Sequence, residues 1–142
     1  STLFPYTTLF RSWLTFRRRK PPAKPDDDAP LSAERRADLE HRATALTGTL
    51  DQEQDPERRI ALLNELAATC CELGDTDAAI AHYEASMGIR EQFGPAYNGL
   101  LSLYNDKLKT AAQAQDDAGI QRWTTRLDDL LALSKRVMRS RY

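Results

Sequence analysis

DPERRIALLNELAATCCELGDTDAAIAHYEASMGIRE, residues 55–91, is the stretch of the chain that decides its fold. Asp55 is a preferred N-cap residue, and Pro56 fits the first position of a helix. Gly74 favours the end of that helix, and Asp75 favours the start of another. Between these signals, apolar side chains recur at the spacing of one helix face. In the first helix they are Ile60, Leu63, Leu66, Ala67, Cys70 and Leu73, and in the second they are Ala79, Ile80, Tyr83, Met87 and Ile89. The stretch therefore predicts two helices joined by a tight turn.

The same spacing continues on both sides of this hairpin. Before it, a helix is predicted over residues 32–50, with Leu39, Ala43, Leu46 and Leu50 on one face. After it, Gly94 and Pro95 open a fourth helix, whose inward residues are Tyr97, Leu100, Leu101, Tyr104 and Leu108. Asp116 and Asp117 mark a turn into a fifth, whose apolar face is Ile120, Trp123, Leu127, Leu130, Leu131 and Val137. About five helices with short connections predict an all-α fold of antiparallel helix hairpins.

Two segments of the chain recur at different offsets. DAAIAHY at residues 77–83 returns as DAGIQRW at residues 117–123, an offset of 40. LAATC at residues 66–70 returns as LLSLY at residues 100–104, an offset of 34. The difference of six residues predicts that the fourth helix and its turn are longer than the second by about 1.7 helical turns.

This pattern of large and small residues resembles the tetratricopeptide repeat (TPR) family, whose unit is a 34-residue helix–turn–helix. The resemblance is carried by Leu63, Leu66, Ala67, Cys70, Gly74, Ala79 and Tyr83. It is good over residues 60–91 and partial over residues 95–135, where Leu101 and Gly119 depart from the pattern. It implies a TPR-like domain over residues 31–142. The domain comprises a capping helix over 31–54, one repeat over 56–92 and an extended repeat over 95–139.

Composition bounds the class of protein. The 142 residues fit one domain, and 20 basic against 21 acidic side chains do not suit a strongly basic nucleic-acid binder. We therefore expect no nucleic acid as partner of the folded domain. The two cysteines, Cys70 and Cys71, are adjacent and cannot join distant segments, which suggests a reducing compartment. No apolar run is long enough to cross a bilayer.

The N-terminal residues differ in character from the rest. Residues 1–12, STLFPYTTLFRS, resemble the in-frame translation of a common sequencing adapter, and we expect them to be an artefact. Residues 13–30 are basic and Pro-rich, as is typical of a disordered linker. Their apolar start followed by Arg17–Lys20 also resembles the flank of a membrane anchor, which leaves contact with a membrane surface open. Residues 13–25 carry +5, whereas residues 26–142 carry −7 (14 − 21).

Motifs for catalysis, cofactors or metals are not apparent, so we expect a protein that is not an enzyme. His41 and His82 fall in different helices without neighbouring ligand residues. Cys70 is predicted to be buried, and Cys71, about 100° around the helix, to be accessible. A redox- or metal-responsive role for Cys71 and His82 is the weakest alternative.

A binding groove is the functional site that the resemblance implies. The first helix of each TPR unit lines a concave surface, here Ala61, Asn64, Ala68, Cys71, Glu72, Asn98, Ser102, Asn105 and Asp106. Asn64 and Asn98 could hydrogen-bond the backbone of an extended peptide. The surface lacks Lys and Arg, unlike the family's clamp for C-terminal carboxylates. An ordinary solvated face would show the same residue types.

These observations favour a non-catalytic adaptor or scaffold that binds a peptide or helix of another protein. The leading alternative is a membrane-tethered assembly factor with its helical domain in the cytoplasm. We expect a cytoplasmic location, with membrane association through residues 13–30 left open. The cations Lys135, Arg136, Arg139 and Arg141 suit the end of the last helix. Val137 and Met138 extend its apolar face, which leaves room for a homodimer contact.

Overall fold

The computed structural model of the chain describes residues 30–140. Its five α-helices are α1 (Ala33–Gln52), α2 (Pro56–Leu73), α3 (Thr76–Ile89), α4 (Pro95–Gln113) and α5 (Asp117–Ser140). The described part of the chain contains no strand, and the all-α prediction is confirmed. The predictions for residues 1–12 and 13–29 lie outside the described residues. None of the five helices is both long and apolar enough to cross a membrane.

The turns between helices follow the capping signals of the sequence. The Asp55 side chain accepts a hydrogen bond from the Arg58 backbone N–H, and Asp75 does the same for Ala78. Gly74 adopts the left-handed conformation at φ 82° and closes the end of α2 through the carbonyls of Cys70 and Cys71. These contacts satisfy backbone groups that helix ends otherwise leave without partners. The predicted hairpin of α2 and α3 is therefore confirmed.

Ion pairs between helices show how the elements run. Arg35 pairs with Glu72 and Arg42 with Glu65, so α1 and α2 are antiparallel. Arg90, directly after α3, pairs with Glu57 at the start of α2, and Lys107 of α4 pairs with Asp77 at the start of α3. Each helix packs mainly against its neighbours in the chain. As a result α2 runs parallel to α4, and α3 runs parallel to α5.

The core consists of two groups of buried side chains. The larger one joins α3, α4 and α5 and includes Tyr83, Leu100, Tyr104 and Leu130, each less than 8% exposed. The smaller one centres on Leu66, Cys70 and Ala79, with half-buried residues of α1 packed against it. Ala67 and Ala79 have no exposed surface at all, which lets the helices approach closely at these positions.

Two predictions about the later helices are wrong. Leu131 was expected to face inward but is 48% exposed, and Leu133 takes its place in the core at 5%. Both residues fit helical spacing from Leu127 and Leu130, and packing against α4 selects the second. Similarly, α4 with its turn spans 22 residues (95–116) against 20 for α2 with its turn (56–75), so the difference is two residues and not six. Relative to the offset of 34 it begins five residues later (95 against 90) and ends six later (113 against 107).

Gly119, which stands where the first repeat has Ala79, has a structural reason. A Cβ atom at Gly119 would lie 2.9 Å from Asp116 Cγ and 3.1 Å from Ala111 Cβ. The Asp116 side chain folds over this position because its Oδ1 accepts a hydrogen bond from the Gly119 backbone N–H. The glycine therefore permits the tight cap at the start of α5.

Candidate functional site

A cleft of about 440 Å³ lies between the parallel helices α3 and α5, above α4. Its floor is apolar and belongs to the larger core: Met87, Leu100, Tyr104, Leu130 and Leu133. Its rim is charged, with Glu84 on α3, Glu91 just after α3, and Arg126 and Asp129 on α5. We call this feature the α3–α5 cleft. An apolar floor with a few polar groups around it is the usual construction of a binding site.

An ion pair closes each end of the α3–α5 cleft. At one end Arg126 Nη1 donates to both Glu84 oxygens, at 2.9 and 3.2 Å. At the other end Arg136 Nη2 lies 3.5 Å from Glu91 Oε1. Arg126 and Arg136 are ten residues apart on α5, so the two pairs are separated by about 15 Å along that helix. The space between them is nearly three helical turns long.

The end at Arg126 is held by aromatic side chains. The Arg126 guanidinium carbon lies 5.1 Å from the Trp123 ring centroid, and Lys107 Nζ lies 5.9 Å from the same ring. The Tyr104 and Trp123 ring centroids are 5.9 Å apart. Burial, together with the negative charge of Glu84, raises the pKa of Tyr104 to about 12, although Arg126 opposes that shift. Tyr104 is therefore a neutral phenol at neutral pH, and the Trp123 ring packs against both Tyr104 and the Arg126 guanidinium at this end of the cleft.

The middle of the α3–α5 cleft is open. Gly88 lines it from α3, and a Cβ atom added there would meet nothing within 4 Å. Opposite, the Asp129 carboxylate forms no ion pair or side-chain hydrogen bond with any residue that the structure describes. The cleft thus offers an anion without a partner among the described residues, beside the small apolar surface that its floor leaves exposed and between two ends that are already paired.

A second cleft, of about 410 Å³, lies between α1 and α2. It includes two of the predicted groove residues, Ala68 and Glu72, which face α1 across it. Glu72 is already paired with Arg35 at 2.7 Å, and Glu65 is paired with Arg42. Its lining is mostly charged, so this cleft offers little apolar surface to a ligand.

The other residues of the predicted groove are distributed over α2 and α4. Cys71, Asn98, Ser102, Asn105 and Asp106 are exposed, as a binding face requires. The two helices do not pack closely against each other along their length, and only Ala68 and Glu72 of the predicted set line a common cleft.

The amide groups of this face are less available than the sequence suggested. Asn64 is half-buried, and its Oδ1 is buried without a hydrogen-bond partner among the described residues. Asn105 donates from Nδ2 to the Leu101 carbonyl within its own helix, at 2.9 Å. An extended peptide could not reach a buried Asn64 oxygen in this arrangement.

The cysteines and histidines lie as their spacing predicted. Cys70 is buried and Cys71 is exposed. Burial raises the pKa of both thiols, with a further contribution from Asp75 at Cys70, and the thiol form dominates at neutral pH. Burial also lowers the pKa of His82. Within residues 30–140 no three His, Cys, Asp or Glu side chains are grouped so as to hold a metal ion.

Sequence reasoning missed the α3–α5 cleft. It placed Tyr83, Met87 and Leu130 in the core correctly but assigned binding to α2 and α4. The available signal was two acids, Glu84 on α3 and Glu91 just after it, which pair with two bases of α5, Arg126 and Arg136. The sequence also left room for a homodimer contact through Val137 and Met138 at the end of α5. Val137 is buried and Met138 is 55% exposed, so of these two residues Met138 alone is available to such a contact.

Comparison with known proteins adds no relative. No protein-family model matches the chain, and neither a curated protein nor a solved structure matches it.

Proposed function

We propose that this protein is a non-catalytic interaction module, an adaptor or scaffold that binds a peptide or helix of another protein in the α3–α5 cleft. The observation that carries the proposal is the open middle of that cleft, where apolar floor residues lie beside Gly88 and beside Asp129, which has no ion-pair partner within residues 30–140. Grooves of this kind bind the apolar face of a partner helix in many complexes. The site differs from the groove over Asn64 and Asn98 that the sequence predicted.

We further propose that the helices are arranged as TPR-like repeats in a cytoplasmic protein. The parallel pairs α2 with α4 and α3 with α5 support this arrangement, since stacked hairpins place equivalent helices parallel. The complete burial of Ala67 and Ala79 and the left-handed Gly74 are consistent with the spacing that carries the resemblance. The alternative of a membrane-tethered factor depends on Arg17–Lys20, which lie outside the described residues.

Filling the α3–α5 cleft from within should abolish binding. In Gly88→Leu the added side chain enters open space in the cleft. The substitution also removes a glycine, which destabilises a helix, so the fold should be kept. A partner identified by cross-linking to the full chain in cell extract should then bind Gly88→Leu at least about tenfold more weakly, a loss of about 1.4 kcal/mol. Isothermal titration with the purified partner measures this change.

Gly48→Leu is the matched control, since Gly48 also lies within a helix and a Cβ atom there meets nothing within 4 Å. It should bind the partner like the unmodified chain. The double variant Asn64→Ala, Asn98→Ala tests the face of α2 and α4. Equal binding by Gly88→Leu, or loss of binding only in the asparagine variant, would exclude the α3–α5 cleft as the site.

A further inference from the structure

We infer that the α3–α5 cleft selects a cationic amphipathic segment, with one Lys or Arg placed between Leu or Met side chains about one helical turn away on each side. This inference rests on the proposed function, because it names the chemistry of the partner for the same cleft. It follows from the charges, the apolar floor and the length of the cleft.

The charge of the cleft is acidic once its internal pairs are counted. Glu84 is neutralised by Arg126, and Glu91 is paired more loosely with Arg136 at 3.5 Å. Asp129 has no cationic partner among the described residues and lies between these two pairs. The carboxylate left over at the centre therefore favours a cation, and an anionic side chain there would meet three carboxylates in one cleft.

The floor requires apolar groups on the ligand. Met87, Leu130 and Leu133 are each at most 9% exposed, yet they line the cleft and face the space above it. Aliphatic side chains of a ligand would remove this remaining apolar surface from water. Lys and Arg combine both requirements, since their methylene stems lie along apolar surface while the charged end stays at the rim.

The length of the cleft sets the spacing of these groups. About 15 Å separates the two ion pairs along α5, which corresponds to nearly three turns of a helix in the ligand. A central cation near Asp129 then has room for one aliphatic side chain on each side, at positions i−3 and i+4. Gly88 leaves space for the ligand backbone on the α3 side.

Synthetic peptides test this inference directly. The probe is a fluorescein-labelled, Ala-rich 14-residue peptide with the pattern Leu-x-x-Lys-x-x-x-Leu, and two matched peptides carry Gln or Glu in place of the Lys. Fluorescence anisotropy with the full chain should show the Lys peptide binding at least about tenfold more tightly than the Glu peptide, with the Gln peptide between them. The preference should decrease as the salt concentration rises.

Charge reversal at the centre of the cleft provides the decisive comparison. Asp129→Lys should reverse the order of the Lys and Glu peptides. Asp128→Lys changes the net charge equally on the neighbouring exposed residue, which does not line the cleft, and should leave the order unchanged. Asp129 is exposed and without partners in the described part of the chain, so its replacement should not unfold the protein.

The outcomes separate the inference from the proposed function. If the peptides bind equally, or the Glu peptide binds best, the inferred chemistry is wrong. The cleft would still be a binding site if Gly88→Leu abolished that binding. If no peptide binds, the inferred ligand class is also wrong, and the proposed function is then decided by the protein partner and the Gly88→Leu variant.

Discussion

Gly99 shows how a single residue determines the spacing of two helices. It lies on α4 against the buried ring of Tyr83 on α3, and a Cβ atom there would lie 2.7 Å from Tyr83 Cζ. Because the ring is enclosed by the core, it has little space into which to move. We expect Gly99→Ala to lower the free energy of unfolding by about 1–2 kcal/mol, since overpacking outweighs the gain in helix propensity. Urea denaturation followed by circular dichroism measures the change.

Gly48→Ala is the control for this substitution. Gly48 has the same helical setting but no neighbour within 4 Å, so alanine there should raise the free energy of unfolding by about 0.5–1 kcal/mol. If Gly99→Ala stabilised the protein as much as Gly48→Ala, close packing of Gly99 against Tyr83 would be disproved.

At the residue scale, the sequence was informative about burial and less so about orientation. Leu66, Cys70 and Tyr83 are buried as predicted, because a stripe repeated every three or four residues leaves few alternatives. Leu131 and Leu133 could not be separated in this way, since both are compatible with the stripe. The buried Oδ1 of Asn64 was equally beyond prediction, because a polar residue at the edge of a stripe can face either way.

At the scale of elements, the caps of α2 were the most predictable features. Asp55 Oδ2 accepts from the Arg58 backbone N–H at 3.1 Å, and Pro56 occupies the first turn. We expect Asp55→Ala to lower the free energy of unfolding by about 1 kcal/mol, because it leaves a helix N–H group without its partner. Asp55→Asn keeps an acceptor at the same position and should cost less. Thermal or urea unfolding of the two variants and of the unmodified chain measures the effect. If Asp55→Ala were as stable as the unmodified chain, the cap would contribute nothing to stability.

Helix pairing was harder to predict than helix ends. The short connections indicated antiparallel neighbours, and the structure shows them. The cleft between α3 and α5 depends on two helices that are not adjacent in the chain, and on α4 beneath them. Only three-dimensional packing decides which acids and bases meet there. For this reason the sequence predicted a binding face on α2 and α4 and gave no indication of the cleft that we now propose.

At the scale of the molecule, packing between chain neighbours predicts unequal stability along the described helices. Helix α1 contributes one buried residue, Leu39, whereas α2 contributes six and α5 contributes Leu127, Leu130, Leu133 and Val137 to the larger core. Its ion pairs to α2 join side chains that are about half exposed, and such pairs stabilise weakly. Because each described helix packs mainly against its neighbours in the chain, a poorly buried helix at the edge of the described structure is expected to open first.

We therefore expect the amides of α1 to exchange with deuterium at least about tenfold faster than those of α3 and α4, a difference of about 1.4 kcal/mol in opening free energy. Leu39→Ala should accelerate exchange in α1 further, because it removes the only fully buried side chain of that helix in the described structure. The α3–α5 cleft is built without α1, so peptide binding should survive this substitution. Exchange at one common rate in all five helices would show instead that they unfold as a single unit. In that case Leu39→Ala, which destabilises α1, would also reduce peptide binding in the α3–α5 cleft.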